Sequence, residues 1–312
     1  MMNFQTLARL FRARKALLLA VTVVALAAWG ASPTSANHPV LVEGNCDSPV
    51  PGTTIVTAGT CGDYDGDGRI GTAEDTDGAD RIFGTLKAAL GPGTGAAAGT
   101  GANNNGAILI VKSGRFAEQL LIGNTTAEFP DQGTANPGNV LIEAAPGVVA
   151  DIDAVFQGDP AGGNTARQAG VGITVNTGAG VRVILRNLLI RNFQTGVLAM
   201  ADSRLTVEGC RFDGNRDYGI RAVGGSRVAV YRSDFTATGF RIPVSGPSNP
   251  GHAISFEGNS GGVVAHTLIT GSAGAALVNT SSIGTSAVRY FEVITSHNGT
   301  GTVVNATREP NP

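Results

Sequence analysis

The strongest pattern in the chain is a recurrence of apolar positions. From residue 107 onward, short runs of β-branched and aliphatic residues alternate with Gly, Asn and Asp, the pattern of strands separated by tight turns. Within these runs an apolar pair five residues apart returns as Leu185 and Ile190, Val207 and Phe212, Val230 and Phe235, Val264 and Ile269, and Val288 and Val293. Successive first members are separated by 22, 23, 34 and 24 residues. A third apolar position recurs at Val197, Ile220, Ile254 and Leu277, with separations of 23, 34 and 23. Both series place an insertion of about eleven residues between Phe235 and Ile254, within the stretch Thr238 to Gly251.

A unit of roughly 23 residues holding three short strands has the size of one turn of a parallel β-solenoid, in which successive turns stack about 4.8 Å apart. Residues one repeat apart then become vertical neighbours. Arg182, Arg204 and Arg227, separated by 22 and 23 residues, are predicted to form a column of cations on the outer wall. Residue 252 falls over residue 218 across the 34-residue turn, which brings His252 one turn from Asp217.

These repeats resemble those of right-handed parallel β-helix proteins, the pectin-lyase-like group. Ile108 to Phe116 with Leu120-Leu121-Ile122 is similar to the opening turn of that group, and Val140-Leu141-Ile142-Glu143 to the next. The resemblance implies an all-β fold, a right-handed parallel β-helix (solenoid) with a short N-terminal α-helical cap, over about residues 107–312. Many members cleave acidic polysaccharides. Asn215-Arg216-Asp217 and Gly251-His252-Ala253-Ile254-Ser255 partly match motifs of the polygalacturonase branch, so Asp217 and His252 are the candidate catalytic residues, with Asp213 as a second carboxyl. The paired Asp and the later Arg-x-Lys of that branch are missing, which favours a non-catalytic protein over a polysaccharide lyase or glycoside hydrolase. In such a protein Arg182, Arg204 and Arg227 are the candidate ligand-binding residues, for an acidic polysaccharide.

Ahead of the repeats the pattern changes. Asp80 to Leu90 carries Ile82, Phe83, Leu86, Ala89 and Leu90 at helical spacing, and Gly91-Pro92-Gly93 ends the stripe, so a short helix is expected there to cover the first turn of the solenoid. Just before it, Asp63-Tyr64-Asp65-Gly66-Asp67-Gly68-Arg69-Ile70-Gly71-Thr72-Ala73-Glu74 fits D-x-D-x-D-G with Glu at position 12. The motif resembles an EF-hand calcium loop. It implies Asp63, Asp65, Asp67, the Arg69 carbonyl and Glu74 as ligands of a structural Ca²⁺, with Gly68 permitting the turn. Seven acidic residues lie between Asp63 and Asp80, and they would repel one another without a cation.

Composition and charge then narrow the setting. Arg9, Arg12, Arg14 and Lys15 precede an apolar stretch from Ala16 to Trp29, and Thr34-Ser35-Ala36 supplies small residues before Asn37, the layout of a signal peptide over residues 1–36. The stretch is shorter than the ~20 residues of a spanning helix, and no second one follows, so no membrane span is expected in the mature chain. A secreted or periplasmic location follows. Removing the segment takes the net charge from −2 to −6, which excludes nucleic-acid binding through phosphate neutralisation as a main role. Cys46 and Cys61 are the expected disulfide of an N-terminal segment, residues 37–106, and Cys210 is left as a small buried thiol.

Overall fold

Strands form where the apolar pairs predicted them, and every strand pairing among the described residues is parallel. The computed structural model describes residues 40–44, 62–63, 67–69, 82–91, 106–124, 126, 138–154, 170–239, 251–282, 287–299, 303–304 and 306–309. The strands fall into three vertical columns that together make a solenoid. One column runs through Val40–Glu43, Gly106–Lys112, Val140–Ala144, Arg182–Arg186, Arg204–Glu208 and Arg227–Tyr231. A second runs through Gly114–Phe116, Ala150–Asp153, Leu188–Arg191, Arg211–Asp213 and Asp234–Thr236. The long strands Gly261–Thr270 and Val288–Ser296 continue both columns at once. The third column stacks Leu120–Gly123, Val171–Asn176, Thr195–Ala199, Tyr218–Ala222, His252–Gly258, Leu277–Ser281 and Val303–Val304.

The register agrees with the counted repeat through four turns. Leu185, Val207, Val230 and Val264 lie over one another, as do Ile190, Phe212, Phe235 and Ile269, and Val197, Ile220, Ile254 and Leu277. All twelve are fully buried. Phe212 and Phe235 stack with centroids 4.5 Å apart and planes within 1° of parallel. In the next turn the register departs from expectation. Val264 pairs with Tyr290 and Ile269 with Thr295, not with Val288 and Val293. Val288 instead lies opposite Gly262, in the inward column of Val183, Leu205 and Val228. A Cβ at Gly262 would meet Val228 O at 1.8 Å, so that turn carries no side chain there, and Val288 is buried one turn on.

From Asn187 onward, two corners of each turn are made by single residues in the left-handed region. One corner column is Asn187, Gly209, Arg232, His266 and Glu292, with φ between 47° and 61°, and the other is Asn192, Gly214, Ala237, Gly271 and His297, with φ between 54° and 65°. Backbone N–H groups at these corners donate to the turn that follows, as from Asn187 to Glu208 and from Arg232 to Ala265. Non-glycine residues adopt this conformation at a cost of roughly 1–2 kcal/mol each, which the inter-turn hydrogen bonds offset. Asn and Gly at the corners match the sequence signal, whereas Arg232, Ala237, His266 and Glu292 carry none. The third corner is closed by buried Ser203, Ser226 and Ser260, each hydroxyl donating to the carbonyl three residues earlier, at Met200, Val223 and Glu257.

The N-terminal end differs from the expected cap in two respects. Val40–Glu43 pairs with Gly106–Lys112, so the ladder begins ahead of residue 107. Ile82–Phe83 is a short strand paired to Val40–Glu43, and the helix is confined to Leu86–Leu90, with Thr85 as its N-cap. An open strand edge offers hydrogen bonds that a β-branched and an aromatic residue accept readily, and this overrides the helical spacing of Ile82 and Phe83. Leu86, Ala89 and Leu90 are buried, and the Glu118 carboxylate accepts from Leu86 N and Lys87 N, which ties the helix to the first turn. The signal segment, Cys46, Cys61 and residues 240–250 lie outside the described residues.

Candidate functional site

Strands Arg182–Arg186, Arg204–Glu208 and Arg227–Tyr231 alternate outward and inward side chains, so each first residue faces solvent. Arg182 pairs with Arg204 and Arg204 with Arg227 in register. The predicted column of cations is therefore present. Beside it Ile184, Thr206, Ala229 and Val263 form a parallel column of small or apolar side chains. The two columns shape a groove of about 690 Å³ whose lining includes Arg182, Arg204, Arg227 and Arg289 and no carboxylate. Arg227 is held by the carbonyls of Gly225, Ser226 and Asn259 at 2.8–3.2 Å. Among the described residues, neither Arg182 nor Arg204 has a carboxylate within ion-pair distance. Like charges directly opposite on neighbouring strands are unfavourable, so this stack sits in a potential that an anion would relieve.

The other end of the same strands is arranged differently. Glu143, Arg186 and Glu208 are stacked in register. Arg186 bonds Glu143 at 3.2 Å and Glu208 at 3.1 Å, and Arg232 bonds Glu208 again. On the second column Arg191 bonds Asp151 at 2.5 Å and lies 3.4 Å from Asp153, which also accepts from Arg115 at 2.8 Å. Burial raises the Asp151 carboxyl above its ordinary value, against the pull of Arg191.

Asp217 and His252 come close in the backbone but not in their functional groups. Tyr218 pairs with His252 as counted, and His252 N donates to Asp217 O at 3.0 Å. The Asp217 carboxylate is taken up by Arg216, at 2.9 and 3.0 Å, and by Gln194 Nε2 at 2.7 Å. The His252 Nδ1 accepts from Ala275 N at 2.8 Å, which leaves the proton of the neutral ring on Nε2. Burial holds the His252 pKa below its ordinary value. The one-turn proximity of Asp217 and His252 therefore does not join their side chains: the carboxylate is bound by Arg216 and Gln194, and Nδ1 by Ala275 N.

A network the sequence reading did not find surrounds His252. Arg221 makes a bidentate pair with Glu257, at 2.7 and 3.0 Å, and its guanidinium lies 5.1 Å from the Tyr218 ring centre. Ser255 Oγ donates to Glu257 at 3.0 Å. Although burial opposes it, the bonds from Arg221 hold the Glu257 carboxyl below its usual range. Glu257 and Asp217 are thus each bound to an arginine side chain, Arg221 and Arg216. The only clue in the sequence was the register itself, which places Arg221 opposite Ser255, two residues before Glu257.

The acidic loop is described in part. Asp63 is buried, and its carboxylate accepts from Asp67 N at 3.1 Å and Gly68 N at 3.0 Å. Gly68 has φ of 80°, the conformation expected at position 6 of the motif. Next to it, Gly62 N donates to the buried carboxylate of Glu43 at 2.6 Å, and Glu43 pairs with Lys112 at 2.5 Å. The loop is therefore fastened to the first strands. Asp65 and Glu74 lie outside the described residues. Cys210 is buried, and burial pushes its thiol up to about 12.

A family model for the right-handed β-helix region matches residues 144–289. The fold is a right-handed parallel β-helix. The matched part of the β-helix carries all three stacked arginines together with Asp217 and His252, and it leaves the acidic loop outside. No curated protein and no solved structure matches the chain significantly. No helix among the described residues is long and apolar enough to cross a membrane.

Proposed function

We propose that this protein is an exported, non-catalytic β-helix that binds an acidic polysaccharide along its outer wall. The observation that carries this reading is the in-register stack of Arg182, Arg204 and Arg227 over a groove lined by no carboxylate. An extended polymer lying along the solenoid axis meets a cation at each of the three turns bearing Arg182, Arg204 and Arg227, about every 4.8 Å. Thr206, Ala229 and Val263 line the groove and offer small or apolar groups to the apolar faces of sugar rings. The N-terminal acidic loop is proposed as a structural Ca²⁺ site, with Asp63, Asp65, Asp67, the Arg69 carbonyl and Glu74 as ligands. Its support is the pre-formed turn at Gly68 and the fastening of Gly62 to Glu43, through which a bound cation would steady the first strands.

Titration with acidic and neutral polysaccharides tests the main reading. Acidic polymers are expected to bind, with affinity falling as salt rises, and Arg204→Glu to abolish binding. The same incubations should release no new reducing ends or unsaturated products. Turnover that is lost in Asp217→Asn or His252→Ala would replace this reading with an enzymatic one. For the loop, chelator should lower the melting temperature, and superimposable melting curves with and without chelator would remove the structural cation.

A further inference from the structure

The groove does not end at Arg227. The next turn contributes Gly261, opposite Arg227, and a Cβ there would approach Ala287 O to 2.5 Å. That turn accordingly adds no side chain to the arginine column, and the floor stays open over Gly262, Val263 and Ala287 as far as Arg289. Arg289 pairs with Val263, one turn further still. A polymer following the groove thus meets three stacked cations, one uncharged turn, and a fourth cation set two positions aside, since Arg289 continues the column of Thr206, Ala229 and Val263.

This fourth cation differs from the others in having a carboxylate beside it. Glu309 lies 3.9 Å from the Arg289 guanidinium, and its backbone N donates to Tyr290 O at 2.9 Å. The C-terminal strand Thr307–Arg308, paired to Arg289 and Tyr290, holds that carboxylate at the end of the row. Both side chains are exposed, 60% and 39%, and such a pair contributes little and is easily displaced.

We infer that Glu309 is a built-in competitor that limits how much of a polyanion the groove engages. This rests on the polysaccharide reading above. A ligand spanning Arg182 to Arg227 binds without disturbing Glu309, whereas a longer one must displace it to reach Arg289. Glu309 is then a specificity-determining residue for chain length.

The test uses full-length protein and oligogalacturonates of defined length, in which every unit carries a carboxylate, titrated calorimetrically. Counting one unit per turn, a trimer covers the three stacked arginines and a pentamer reaches Arg289. Glu309→Gln is expected to leave trimer affinity unchanged and to raise pentamer affinity about twofold to fivefold, the range of an exposed ion pair. Adding Arg289→Gln to that variant should erase the gain. Equal changes for trimer and pentamer, or no change for either, would overturn the role of Glu309. Failure of every oligomer to bind the unaltered protein would instead overturn the polysaccharide reading. Matching melting temperatures for the variants keep a folding defect from imitating either result.

Discussion

The two ends of the strands Arg182–Arg186, Arg204–Glu208 and Arg227–Tyr231 share one backbone and opposite electrostatics. At one end the vertical sequence is Arg, Arg, Arg; four residues along, it is Arg, Glu, Tyr, with Glu143 beneath. The spacing is identical, since the same hydrogen-bond ladder sets both. Alternation lets Arg186 bridge Glu143 and Glu208 and consumes the charge internally. Repetition leaves Arg182 and Arg204 with no carboxylate within ion-pair distance among the described residues. In a solenoid, therefore, the residue placed at each recurrence decides whether a wall is sealed or open to a ligand, while the backbone stays the same.

The comparison breaks most completely if the interior that supports both ends is removed. Phe235→Ala deletes a fully buried ring stacked on Phe212 and should cost about 3–5 kcal/mol in denaturant unfolding. A loss below 1 kcal/mol would mean that the interior does not hold the register. A smaller effect comes from acid. His252 is held below its ordinary value of 6.5, so the stability from its neutral form is fully present above that pH and is lost as the pH falls toward the folded-state value. Glu257, held below 4.5, likewise contributes above that pH and is lost further down. Unfolding curves between pH 7 and 5 should slope by at most about 1.4 kcal/mol per pH unit from His252, and His252→Gln should flatten them.

The two ends are then separated directly by neutralising one charge in each. Glu208→Gln strips Arg186 and Arg232 of a shared partner and should cost about 1 kcal/mol, with polyanion binding retained. Arg204→Gln should do the reverse. Stability is expected to stay level or to rise by about 0.2–1 kcal/mol as repulsion within the stack is relieved, and affinity for an acidic polysaccharide should fall. Equal destabilisation by the two substitutions would erase the distinction between the ends.

The wall of this molecule was legible in its sequence to the extent that inward positions were unambiguous. Leu185, Val207, Val230 and Val264 recur at a near-constant spacing together with the partner five residues on, and their register was read correctly. At Val288-Arg289-Tyr290 two apolar residues competed for one inward position, and spacing alone did not decide between them. That slip hid Arg289 from the arginine groove. The helix estimate failed at Ile82 and Phe83 because their pairing partner, Val40–Glu43, lies some forty residues away in the chain. The arginine column was visible because it needed only the repeat length. Two partners of Asp217 and His252 were not, since Gln194 and Ala275 N reach them through the stacked turns, whereas Arg216 is the sequence neighbour of Asp217.

The corner residues in left-handed conformation imply a particular kind of evolvability. Because two bends of each tier from Asn187 onward hinge on one such residue whose N–H bonds the adjacent tier, copying or deleting a whole tier would change the height of the solenoid by one step and leave those bends intact.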